Sequence, residues 1–354
     1  MPWIIVWQVL VFSIGALLAL SAVLAAIRSF VLPRNESVLL NNAVFKALRF
    51  FFDGIARLGS TYARRDRVMA LYAPVALVAL PIVWLVFIAL GYTAMYWALD
   101  EGSWSRCYRI SNNSLLTIGA DEPTRRLFAS SLSYSEATLG LLLLTLLISY
   151  LPTIYQAFSR RELVVARLEL RAGTPATPTS LIQWLNRSGS LSDDGPQWQR
   201  WEEWFVEIEE SHTSLPVLSF FRSPQAGRSW VSAAGIILES AALISSTVDQ
   251  PRDQQMELCF KAGCIAINRV ARFFQNNAHA TPTPLAPDAD PATDPTHQEF
   301  LNAYANLQEQ DLTLLRDPEK AWRHYQELHS RYAEALRYLG VLLMTPENAA
   351  SEAF

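Results

Sequence analysis

The chain is 354 residues long, 51% apolar and 18% charged, with a formal net charge of −4. That composition excludes a disordered chain, and the near balance of charges gives no electrostatic footprint for nucleic acid. Three cysteines are too few for a disulfide framework, and Cys259 and Cys264 lack the second ligand pair of a zinc site.

Up to residue 158 the apolar residues gather in long uncharged runs; beyond it the chain reads as soluble. Residues 1–27 carry no charge and are followed by Arg28 and Arg34. The uncharged start and the length of the run argue for an uncleaved anchor rather than a signal peptide. A first transmembrane helix is expected over 1–30, then a cytosolic connection over 31–67. There Val44, Leu48, Phe51, Ile55, Leu58 and Tyr62 recur at helical spacing, with Lys46, Arg49, Asp53, Arg57 and Arg64 opposite. A basic amphipathic helix of this kind suits the membrane interface; the alternative is packing on the cytosolic domain.

The second run, 68–99, exceeds the roughly 20 residues that cross a hydrocarbon core. Pro74 and Pro81 set its first turn near the interface or kink it. The third run, 131–158, has Glu136 near its start and no further charge until Arg160. Basic residues crowd 28–67 and recur at Arg160, Arg161, Arg167 and Arg171, while 100–126 has four arginines against four acids. By the positive-inside rule the N-terminus faces out, and residues 28–67 and everything past 158 face the cytosol. The localisation expected is a cell membrane, multi-pass, with a cytoplasmic C-terminal domain.

Between the second and third runs lies SNNSLLTIGADEP, residues 111–123. Non-helical backbone enters a membrane only where protein buries it or water reaches it. A span, a half-helix over 103–113, a polar turn over 114–121 and another span make the layout of a pore loop.

This region resembles the pore unit of tetrameric potassium channels, whose filters run close to Thr-x-x-Thr-Val-Gly-Tyr-Gly. Ser114 matches the first hydroxyl residue, and Thr117, Ile118 and Gly119 match Thr-Val-Gly. The helix that follows, with Gly140 partway along, resembles the inner helix of that family. The resemblance covers about residues 70–160. It implies a filter made of Thr117, Ile118, Gly119, Ala120 and Asp121, supported by Ser114, Glu122 and Glu136. Rings of carbonyl oxygens from four chains would replace the water of a potassium ion. Two departures stand out: Ala120 replaces the aromatic residue behind the filter, and Asp121 replaces the second glycine. Gly140, as a hinge or a close-packing point, and Pro152, as a bend, are the gating candidates.

The rest reads as helical. Residues 161–276 form a cytosolic domain, 277–297 a Pro-rich linker and 298–343 a C-terminal helical pair. Trp198, Trp201, Phe205 and Ile208 make an apolar stripe that reads as core. Glu207, Glu210 and His212 could meet a metal on paper, but their spacing does not call for one. Residues 230–248 are apolar enough for a fourth span, yet Glu239 at their centre points to a buried soluble helix. In 258–274, Ile265, Val270 and Phe273 are expected to face inward. Asp317, Pro318 and Glu319 open a helix carrying Trp322, Tyr325, Leu328, Tyr332, Leu336 and Leu339 on one face.

No catalytic or nucleotide-binding signature is present in the sequence, so no enzyme is expected. The expected fold class is an all-α membrane protein of three transmembrane helices, a re-entrant pore loop and a helical cytosolic domain. The expected function is a homotetrameric cation channel in a lipid bilayer, with potassium ions in the filter, no other cofactor or metal, and no nucleic-acid partner. The alternative is a non-conducting pore-loop relic acting as a membrane-anchored scaffold or sensor. The sequence names no cytosolic ligand.

Overall fold

A computed structural model describes residues 2–31, 39–57, 62–119, 124, 126–189, 191, 195–225, 227–276, 297–310 and 312–345. The Pro-rich linker expected over 277–297 lies outside the described residues except for His297. The described elements run α1 (Pro2–Val31), α2 (Leu39–Arg57), α3 (Tyr62–Ala70), α4 (Tyr72–Ala98), α5 (Trp104–Leu115), α6 (Leu127–Ala172), α7 (Pro178–Arg187) and α8 (Gly195–Ser214). A 3-10 turn over Pro216–Phe220 follows, then α9 (Trp230–Thr247), α10 (Gln254–Asn276), α11 (His297–Gln308), α12 (Pro318–His329) and α13 (Ala333–Leu343). Among the described residues there is no strand, only an isolated bridge between Val248 and Leu314.

Four helical stretches are long and apolar enough to cross a membrane: Trp3–Ser29, Arg64–Ala98, Leu127–Ala172 and Trp230–Thr247. The fourth differs from the others in its surroundings. Protein covers 83% of it, against 28%, 39% and 17% of the most apolar windows of the first three. Two compact units divide the chain: Met1–Leu48 with Pro74–Tyr155, and Arg49–Ala73 with Gln156–Phe354.

In the first unit α1 packs on α4 through small residues. Ala19, Ala22, Ala25 and Ala26 are buried on α1, opposite Trp84 and Ile88 in the same core. A Cβ on Gly15 would stand 2.5 Å from the Gly91 carbonyl oxygen, so the two backbones meet as only glycine permits. Pro74 falls in the first turn of α4, where its missing N–H costs nothing. α6 runs unbroken from Leu127 through Pro152 to Ala172, taking in the inner helix expected over 131–158.

In the second unit α9 is the central helix, enclosed by α7, α10, α12 and α13. Trp198, Trp201, Phe205 and Ile208 are buried on α8, which packs against α10, each worth roughly 1.5–3 kcal/mol relative to exposure. α10 turns Cys259, Ala266, Ile267, Val270 and Phe274 inward. Ile265, expected inside, is instead exposed, because the buried face of α10 lies one residue further on. The last helix expected from the sequence is two. Asp317 caps α12 by accepting from the Glu319 and Lys320 amides, as its position predicts. The chain then breaks at Ser330–Tyr332 before α13. The break lets Tyr325 and Tyr332 both reach Glu239.

On α2 the charged side expected opposite the apolar stripe is buried at Arg49 and Asp53. α2 buries Arg49, Phe52, Asp53 and Ala56, and exposes Phe50, Phe51 and Ile55. The charged side turns inward because partners meet it there. Arg49 pairs with Asp53 at 2.9 Å and lies over the rings of Tyr72 and Phe220. The exposed face, with Phe50 at 82%, is apolar and aromatic.

Candidate functional site

The site lies in the first unit, where α4, α5 and α6 meet. α5 has 12 residues, about 18 Å of helix, too short to cross a hydrocarbon core of about 30 Å. Ser103 caps its start, accepting from the Arg106 amide. Cys107, Ile110, Ser111 and Leu115 form its buried face. The helix runs two residues past the expected half-helix of 103–113, so Ser114 belongs to α5 and not to the turn.

α5 ends in a Schellman motif. The Thr117 amide donates to the Ser114 carbonyl at 3.1 Å, and the Ile118 amide donates to Asn113 at 3.0 Å. That closure needs a left-handed residue at the position after the cap, a role glycine usually fills. Here Thr117 takes it, with φ +53°. A β-branched residue in this region is strained by about 1–3 kcal/mol and persists only where its surroundings enforce it. Gly119 follows with φ +105°, while Ile118 between them has no positive φ. Leu116 to Gly119 are all exposed on this chain, Ile118 at 70%. Ala120, Asp121 and Glu122 lie outside the described residues.

Behind this turn sits a polar network inside an apolar core. Glu136 is fully buried. The Tyr96 hydroxyl donates to its Oε2 at 3.0 Å, and the Ser111 hydroxyl to its Oε1 at 2.5 Å. Ser111 also lies 3.0 Å from the Ala89 carbonyl, so one hydroxyl reaches both α4 and α6. Ser114 and Ser133 hydroxyls pair at 2.5 Å, and those of Tyr92 and Ser135 at 2.9 Å. α5 is thus fastened to α4 and α6 along its length.

The expected filter and support residues are brought together in part. Ser114 and Glu136 both hold α5, through Ser133 and Ser111. Gly140 faces the end of α5, where a Cβ would meet the Leu115 carbonyl oxygen at 2.0 Å. Pro152 lies within continuous helix, three turns further along α6. Tyr92, Tyr96, Ser111 and Ser133 are not among the site residues expected from the sequence. Their spacing was a usable signal: polar pairs three or four apart on three neighbouring elements, Tyr92/Tyr96, Ser111/Ser114 and Ser133/Glu136, each facing one side.

Two features of the arrangement bear on its chemistry. The C-terminal end of α5 carries the negative end of its dipole, which favours a cation beside Ile118 and Gly119. The backbone changes hand from Thr117 to Ile118 and again to Gly119. Among the described residues no group of three or more His, Cys, Asp or Glu could hold a metal ion. No family model, curated protein or solved structure matches the chain.

Proposed function

We propose that the chain is one subunit of a cation channel, with four copies around a common axis. Thr117, Ile118 and Gly119 line the narrow part, and Ala120 and Asp121 complete it. The observation that carries this reading is the half-helix between two membrane-length helices, ending at Thr-Ile-Gly with φ reversed at Thr117 and Gly119. One chain supplies a quarter of a filter, so the exposed residues 116–119 meet their equivalents across the axis. Potassium is the ion that the resemblance implies. Softening at Ala120 and the charge of Asp121 favour weaker discrimination among cations. The N-terminus lies outside and the second unit in the cytoplasm, as the arginines argue.

The test is a planar bilayer containing the purified protein, with potassium on one side and sodium on the other. A current reversing near the potassium potential and abolished by Gly119→Ala is the expected result for a selective pore. Reversal near zero with the same sensitivity identifies a non-selective cation pore. A monomer in detergent and in nanodiscs would overturn the shared filter. Ala120 and Asp121 favour a second reading, a non-conducting membrane scaffold. Silence from a verified tetramer, with unchanged behaviour of Gly119→Ala, selects it.

A further inference from the structure

A shallow cleft opens to solvent on the second unit. Its wall holds three guanidinium groups, Arg49, Arg222 and Arg228, and three hydroxyls, Ser219, Ser223 and Ser229. Among the described residues no carboxylate lines it. The acids that pair with these arginines, Asp53, Asp66 and Glu169, are not among the residues that line the cleft. Arg49 and Arg222 also reach the Leu342 and Met344 carbonyls at the end of α13. The arginines are therefore held in place without a counter-charge inside the cleft.

Two further features point to an anion. α9 begins on this wall: Ser229 caps it, Trp230 is its first residue, and its first turn carries no acid. The N-terminus of an 18-residue helix presents amide donors and the positive end of a dipole. The second feature is Ser219. It is only 2% exposed, it lines the cleft, and its Oγ has no hydrogen-bond partner. The Arg228 Nε on the same wall is likewise buried without one. Buried donors left without partners are destabilising, and a ligand in the cleft would relieve that.

We propose that this cleft binds a phosphate-class oxyanion, held by the start of α9, the Ser219 hydroxyl and the guanidinium groups of Arg49 and Arg228. The phosphate can come from a soluble ester or from an anionic lipid headgroup. The second source has support from α2, whose exposed Phe50 and Phe51 are neighbours of Arg49 in sequence. The site stands independently of the channel reading, since every residue in it belongs to the second unit.

The full chain in neutral detergent is titrated with sodium phosphate against sodium chloride at matched ionic strength, reading thermal unfolding and heat of binding. In parallel it is placed in nanodiscs of phosphatidylcholine with and without phosphatidic acid. The expected result is stabilisation by phosphate, by phosphatidic acid, or by both, whichever source the cleft takes. Ser219→Ala, which removes one oxygen and no packing, weakens binding about tenfold, the loss of one hydrogen bond to a charged group. Arg228→Gln abolishes it. Stabilisation by phosphatidic acid alone identifies the headgroup. No binding in either arm, or equal binding by native chain and Ser219→Ala, overturns the proposal. Ser219→Ala decides alone if Arg228→Gln fails to fold.

Discussion

Gly140 on α6 stands against the carbonyl oxygen of Leu115, so close that a Cβ would lie 2.0 Å away. This contact seats the last turn of α5 on α6, at the point where the chain leaves the helix for Thr117. Of the two readings of Gly140 from sequence, a hinge or a close-packing point, the contact accounts for the second. Gly140→Ala forces α5 and α6 apart and costs about 1–3 kcal/mol, as overpacking does in a filled interior. The expected outcome is a lowered melting temperature in detergent and altered proteolysis within 116–126. An unchanged melting temperature would remove the contact from the argument.

Glu136 is the only acid in the interior of the first unit's helix bundle among the described residues of α4, α5 and α6, and its oxygens take the Tyr96 and Ser111 hydroxyls. Glu136→Ala leaves both hydroxyls without this acceptor and opens space beside α5, at a cost of about 2–4 kcal/mol. Glu136→Gln keeps the volume and one acceptor, and the hydroxyls can turn to receive its amide, so its loss is expected below about 1.5 kcal/mol. Denaturation of the two variants in one detergent checks the order. Equal loss for Gln and Ala would mean that charge, not hydrogen bonding, holds the network.

The long apolar runs, the Trp198 to Ile208 stripe and the Asp317 cap were legible because each rests on local periodicity or on neighbours in sequence. Arg49 was not, since its burial depends on Tyr72, Phe220 and Leu342, all distant in the chain. The same holds for Glu136, whose acid was visible while its donors lay 25 and 40 residues earlier. The break at Ser330–Tyr332 was hidden by an apolar spacing that continues smoothly across it. At Thr117 the sequence even misleads, because a Schellman turn normally announces itself by glycine or asparagine.

Arg161 and His212 make a pH-sensitive clamp in the second unit. All five N–H donors of Arg161 have acceptors: Glu162 Oε1, the Leu218 and Phe221 carbonyls, and His212 Nε2 at 3.3 Å. Accepting at Nε2, His212 carries its hydrogen on Nδ1 and donates to the Ile208 carbonyl at 3.1 Å. Burial, with the Arg161 charge second, holds its pKa well below the usual 6.5. The native ring stays neutral while the unfolded one takes a proton below about 6.5, so stability is full above that pH. It falls by up to about 1.4 kcal/mol per pH unit below it. His212→Gln, which keeps an acceptor for Arg161, should flatten that slope in melts between neutral and mildly acid pH. Arg161→Lys cannot reproduce the planar fork and is expected to lose stability at every pH.

Glu239, at the centre of α9, receives the Tyr325 hydroxyl on Oε1 and the Tyr332 hydroxyl on Oε2. The two tyrosines come from either side of the break between α12 and α13, so the carboxylate pins both helices to α9. Burial, reinforced by Glu239, pushes the Tyr332 hydroxyl well above its ordinary 10, so it remains a donor throughout the stable range. Each single Tyr→Phe change is expected to cost about 1.5–3 kcal/mol, the worth of a hydrogen bond to a charged group. Their effects should not add. With one hydroxyl gone the remaining tyrosine bears more of the charge, so losing it too leaves a buried carboxylate without its two donors. The double variant is expected to exceed the sum of the singles by about 1 kcal/mol or more, a coupling that a double-mutant cycle on urea unfolding reads directly. Glu239→Gln in the double-Phe background should then restore stability, because a neutral amide costs less to bury than an unpaired charge. Strict additivity, or no rescue by Gln, would show that the two rings contribute packing and not the hydrogen bonds that hold α12 and α13 to α9.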